Sequence, residues 1–197
     1  GWTKAGRIYR TEDGQRPDQA WLDISEEVGD FGDHGLLGLA LHPNFQANGY
    51  VYLLYVVDRH HLLNFGTPSY DPTANDFQAP TIGRVTRYQA DASTNFETFI
   101  PNSRKILLGT GPGDGFPILH LSHGVGNIVF AEDGSMLVSC GAGGSYIGTD
   151  AGGDEVGALA SQAIAEGIIE EYEDVGAFRS QLVASLNGKI LRLDPET

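Results

Sequence analysis

The 197-residue chain is long enough for one domain or one and a half, and its 41% hydrophobic content excludes wholesale disorder. A formal net charge of -14, from 12 basic against 26 acidic residues, disfavours nucleic acid and anionic lipid surfaces as partners. The single cysteine, Cys140, excludes an internal disulfide and a thiolate metal cage, and no apolar run approaches the ~20 residues of a membrane span.

In chain order, GWTKAGRIYR (Gly1–Arg10) reads as the interior of a strand without a secretory signal, so the chain is expected to be cut from something longer. GLLGLALHPNFQANGYVYLLYVV (Gly35–Val57) is a hairpin: a short apolar strand, a polar turn closing at Asn48-Gly49, and a second apolar strand. His42, just before a proline in that turn, reads as structural. Arg59 to Thr81 is polar and proline-bearing and reads as a loop, with His60 and His61 as its polar start. Ile82 to Asp91 is a strand entering a turn, and RKILL (Arg104–Leu108) is another. GTGPGDG (Gly109–Gly115) lacks a Lys-Ser/Thr pair, contains Pro112 and opens no helix, so it is no phosphate loop; its glycines are expected to let the backbone run close to the site that His123 borders.

GVGNIVFAEDGSMLVSCGAGG (Gly124–Gly144) repeats the first hairpin, with Asp133-Gly134 as its turn and Cys140 as a small buried hydrophobe. A second excursion, residues 145–187, begins with SYIGTDAGGDEVG and turns helical. ALASQAIAEG is closed by Gly167, and VGAFRSQLVASLNG sets Phe178, Leu182 and Leu186 on one helical face. The acids of DAGGDE, chiefly Asp150 and Asp154, offer oxygen ligands for Ca²⁺ without EF-hand spacing; a solvated loop is the alternative. EEYED (Glu170–Asp174) is a charged surface run, and Lys189–Leu193 returns to a strand.

Gly38 and Gly126 stand at equivalent places 88 residues apart, twice a propeller blade of about 40–45 residues, so blades with large inserted loops are expected. Glycine-rich turns between short strands point to an all-β fold, and a sheet repeat cannot close in two units, because propellers take roughly four to eight blades. The expected architecture is therefore a partial β-propeller over residues 1–197. It covers two to three blades, with insertions at about 59–81 and 145–187 emerging from the same end.

Three segments, GLLGLALHPNFQANGYVYLLY, SHGVGNIVFAEDGSMLVSCGAGGSY and LNGKILRLDPET, resemble in this order the hallmark segments of the glucose/sorbosone dehydrogenase family. The resemblance implies a six-bladed propeller that uses pyrroloquinoline quinone (PQQ), and an extracellular or periplasmic location. By it His123, in SHGVGN, falls on the general base that takes the proton of the sugar hydroxyl while hydride passes to the quinone. Asp33 and His34, before GLLG, and Asn127 fall on cofactor-facing positions; Asp33 reads equally as a turn acid capping its own loop. The chain departs from the family pattern at Ser122, where an acid precedes the base, at Asn127, where an arginine stands, and at Ala142, where an aspartate is frequent. The remaining PQQ and Ca²⁺ ligands would come from later blades, beyond Thr197, so the rest of the propeller is required. The resemblance thus implies a PQQ-dependent sugar oxidoreductase whose partners are a sugar and an external electron acceptor. A non-catalytic propeller binding module of a large secreted protein is the alternative, and a metal-dependent lactonase stands third. No Gly-x-Ser-x-Gly frame supports a serine nucleophile.

Overall fold

A computed structural model describes residues 1–11 and 13–196. Two short strands, β1 (Arg7–Ile8) and β2 (Leu22–Asp23), pair at the start of the chain. The predicted first hairpin is β3 (Leu36–Leu41) and β4 (Tyr50–Val56), and it extends through β5 (Thr81–Gln89) to β6 (Lys105–Leu108) as one antiparallel meander in the order β3-β4-β5-β6. β7 (Phe116–Ile118) pairs with the other half of β5. The second hairpin is β8 (Val125–Phe130) and β9 (Met136–Cys140), joined by β10 (Lys189–Leu193) in the order β8-β9-β10. A four-stranded meander, which β7 extends to a five-stranded sheet, and a three-stranded meander are the blade pattern that the repeat predicts.

The alternation of β4 explains the stacking. Val51, Leu53, Tyr55 and Val57 point to one core, shared with Ile8, Val28 and Leu36. Tyr52, Leu54 and Val56 point to a second core, shared with Val125, Ile128, Met136, Val138 and Cys140 of the other sheet. Period-2 alternation with both faces buried makes β4 apolar throughout, and each such side chain contributes roughly 1.5–3 kcal/mol on burial. Glycine sets the spacing where the sheets meet. A Cβ on Gly83 of β5 would lie 2.3 Å from Val125 Cγ1 and 3.2 Å from Phe116 Cβ. Gly83→Ala is therefore expected to destabilise the intact protein by about 1–3 kcal/mol, as overpacking does. Urea unfolding measures it, and a loss under ~0.5 kcal/mol, the level of an ordinary surface change, would show that the sheets separate freely here.

Antiparallel order places the connections after β4 and β9 at one end. β3 and β8 run away from that end, so the 57–80 and 141–188 connections, which follow β4 and β9, rise from it. Two local readings are corrected. Residues 59–64 are not loop but a helix, α2 (Arg59–Asn64), after a one-turn α1 (Phe45–Asn48) in the first hairpin turn. The Asp58 carboxylate caps α2 by accepting from the His61 amide at 3.2 Å. In the second insertion α3 (Ala160–Ala165) forms as read, but the Phe178/Leu182/Leu186 helix does not. Gly176 takes a φ of 56° against Asp150 and starts a 3₁₀ segment, Gly176–Gln181. That segment buries Arg179 (1% exposed) and leaves Phe178 52% exposed. A bidentate pair from Arg59 to Glu166 ties α2 to the segment following α3, so the two insertions brace one another.

Candidate functional site

The loops that precede β3 and β8 clasp one another at the insertion end. The Asp33 amide donates to Leu121 O at 2.9 Å, and His34 Nε2 donates to His120 O at 2.9 Å. Gly32 has a φ of 59°, and a Cβ there would lie 2.7 Å from Leu121 O, so the approach requires glycine. The carbonyl can only accept, which places the His34 proton on Nε2. Burial lowers the His34 pKa, the His120 carbonyl and Asp33 opposing it, so His34 is a neutral clasp between loops. The ring that the resemblance places toward the cofactor is buried, with its Nε2 engaged by the His120 carbonyl. Asp33 is exposed in the same loop.

His123 is exposed and sits at a φ of 56°, in the left-handed region. Its carbonyl accepts from the Gly143 amide at 2.8 Å, and the Gly141 amide donates to Gly124 O at 2.8 Å, so the strand after His123 is tied to the strand before the insertion. His123 Nδ1 lies 3.2 Å from Gly144 O. That carbonyl also has only lone pairs to offer, so Nδ1 carries the proton and the exposed Nε2 is left as a free base. Ser122 Oγ, buried beside it, lies 2.8 Å from His120 Nδ1, 3.2 Å from Gly144 O and 3.3 Å from His123 Nδ1. Burial lowers the His120 pKa, against the opposing charges of Asp150 and Asp33.

Asn127 is exposed on β8, its Oδ1 accepting from the Ile128 amide at 2.8 Å, which leaves Nδ2 free of a protein acceptor among the described residues. The two acids proposed for Ca²⁺ do different work. Buried Asp150 accepts from the Ser145 amide at 2.7 Å and the Gly152 amide at 3.2 Å; exposed Asp154 accepts from the Ser161 amide at 2.8 Å. Among the described residues no three His, Cys, Asp or Glu side chains gather as a metal site. Of the Gly109–Gly115 glycines, Gly109 and Gly115 pack on β5, where a Cβ on Gly115 would meet Gly83 O at 2.8 Å, while one on Gly113 would meet Gly167 O at 3.0 Å.

Sequence reading passed over two contributors. His120 joins Ser122 to form a chain of contacts leading to His123. Buried Arg179 reaches back from the insertion to donate to Gly143 O at 3.3 Å and Ala142 O at 3.5 Å, beneath the loop that carries Gly144. The Arg179 contacts have no local sequence signal, because they join residues 36 and 37 positions apart in the chain.

Sheets stacked as blades, with the loops that precede their first strands clasped beside the exposed His123 imidazole, define a propeller-type protein. The chain belongs to the glucose/sorbosone dehydrogenase family, whose family model matches residues 2–197. Similar solved structures include an oxidoreductase (glucose dehydrogenase) of Thermus thermophilus, 26% identical with a TM-score of 0.57, over 98% of this chain and 39% of that one. The PQQ-bound aldose sugar dehydrogenase of Streptomyces coelicolor is 18% identical with a TM-score of 0.53, over 95% and 37% of the two chains. The soluble aldose sugar dehydrogenase of Escherichia coli, in its apo form, is 14% identical with a TM-score of 0.54, over 98% and 39%. The latter two likenesses are of fold. No curated protein matches the chain. The chain spans about two fifths of the length of these structures, so it is a propeller portion of glucose-dehydrogenase type, and no described helix is long and apolar enough to cross a membrane.

Proposed function

We propose that the intact protein oxidises an aldose or a related sugar with PQQ, His123 acting as general base. The observation that carries this is the His123 imidazole: exposed at the mouth, with Nδ1–H held by Gly144 O and Nε2 free. The donor set suits one side of a carboxylate-bearing quinone, with the unpaired Asn127 amide as a donor and the His123 Nε2 as a base. The exposed Asp33 carboxylate would repel the group's carboxylates and belongs near its uncharged edge or a bridging cation. The cationic partners, and any Ca²⁺, would come from the rest of the ring.

PQQ, when bound, accepts the hydride. His123 Nε2 receives the proton of the sugar hydroxyl, and Gly144 O stabilises the imidazolium through its bond to Nδ1–H. The His34 clasp and the Gly143 and Gly141 amide bonds hold the loop, so the ring needs little reordering during proton transfer. An external acceptor would reoxidise the quinone, and an exported location belongs to the same reading.

Calorimetry with PQQ and Ca²⁺ on the intact protein, followed by a dye-linked assay across aldoses, tests it. Binding and sugar-dependent dye reduction are expected. No PQQ binding would overturn it in favour of a non-catalytic binding module, the reading drawn from Ser122, Asn127 and Ala142 and from the two insertions at the mouth.

A further inference from the structure

We propose that Ser122 and His120 are positioning residues for His123, together standing in for an acid beside the base. The inference rests on the function proposed above and names the device that orders its base. Ser122 Oγ is the hub of three contacts, and it has only one proton to give. Its shortest contact, 2.8 Å, is to His120 Nδ1; Gly144 O and His123 Nδ1 follow at 3.2 and 3.3 Å.

The direction of that one proton decides what His123 receives. With His120 Nδ1 bare, the Ser122 hydroxyl donates to it and turns its lone pairs to His123. The Nδ1–H of His123 then has two acceptors, Ser122 Oγ and Gly144 O. With Nδ1 of His120 protonated, Ser122 must accept from it. Its own proton then turns to Gly144 O, where it competes with His123 for the carbonyl. The first arrangement is a polarised chain, His123 to Ser122 to His120, that holds the Nδ1–H tautomer and frees Nε2.

His120 is held for this role from several sides. Its carbonyl accepts from His34 Nε2, and its ring meets the Tyr146 ring edge-on at 5.3 Å between centroids. Asp150, Asp33 and His123 are the charged and titratable groups that face it. Burial of Ser122 keeps water from replacing the hydroxyl.

The test uses the intact protein and two variants. Ser122→Ala removes the hub and keeps both histidines. His120→Asn sets an amide where Nδ1 stands, preserving a partner for Ser122 without an imidazole. Imidazole ¹⁵N NMR of the protein without quinone reads the His123 tautomer, and steady-state assays of the PQQ-loaded protein read kcat and KM separately. Ser122→Ala is expected to shift His123 toward mixed tautomers and to lower kcat about tenfold, within the range of general-base effects, with sugar KM within about twofold. His120→Asn is expected to recover part of both signals. An unchanged His123 tautomer in Ser122→Ala, or unchanged kcat with the wild type active, would overturn the positioning role. A tautomer shift in a protein that oxidises no sugar would keep that role and sink the function proposed above.

Discussion

Exchanging His123 for Asn is expected to lower kcat/KM for sugar oxidation by about 10²–10⁴-fold, or roughly 3–5 kcal/mol of transition-state stabilisation. Asparagine is the informative choice because the backbone there is left-handed, with a φ of 56°. Among residues with a Cβ, Asn enters that region most readily, so the loop survives the change. The amide can still donate to Gly144 O, as Nδ1 does now. What is lost is the imidazole Nε2, which the neighbouring His34 does not replace, being buried with its own Nε2 engaged. The PQQ-reconstituted intact protein supplies the measurement, with quinone binding as a control. A loss of less than tenfold, with quinone still bound, would remove His123 from the role of base.

The segment around His123 was legible through the family resemblance because it is local: a histidine and two glycines opening an apolar strand with an Asp-Gly turn six residues after Asn127. Its partners were not. Gly144 O lies 21 residues away in the chain and reaches the ring only because β8 and β9 pair and their loops close over one another. The hairpins were legible for the same reason of locality, since Val51 to Val57 alternate between two cores and Asn48-Gly49 supplies the left-handed turn residue, Gly49 at a φ of 68°. The insertions were not. α2 is six residues long, below the length at which helical periodicity separates from a polar loop, and its cap sits at the end of a buried strand. The segment after Gly176 carries a helical apolar spacing, but tertiary contacts override it. Burying the Arg179 guanidinium under the Ala142 and Gly143 carbonyls turns that face inward and leaves Phe178 outside.

Glu27→Gln is expected to destabilise the intact protein by about 3–5 kcal/mol, the cost of removing one partner from a buried charge cluster. Glu27 Oε1 accepts from Arg84 Nη1 at 2.6 Å, from Arg104 Nη2 at 2.5 Å and from the buried Tyr55 hydroxyl. The cluster holds two cations against one anion, so an amide there leaves the buried Arg84 guanidinium and the partly exposed Arg104 guanidinium without a counter-charge. Arg84 also donates to the Gly109 carbonyl at 2.6 Å, which carries no charge to balance it. Burial alone would raise the Glu27 pKa, but Arg104 and then Arg84 overcome it and hold the carboxyl below its ordinary value. A carboxylate depressed in the fold binds its proton more readily when unfolded. Its contribution is therefore complete above the unfolded value of about 4.3 and is lost as pH falls toward the folded one. Urea unfolding of wild type and variant should show the full gap at pH 7 and a narrowing gap on acidification below about pH 4.3. A gap under ~1 kcal/mol at pH 7, the scale of an exposed pair, would show that the arginines find other partners or water. Arg84→Met serves as the internal comparison: it leaves the Glu27–Arg104 pair balanced one to one and should cost less than removal of the shared anion.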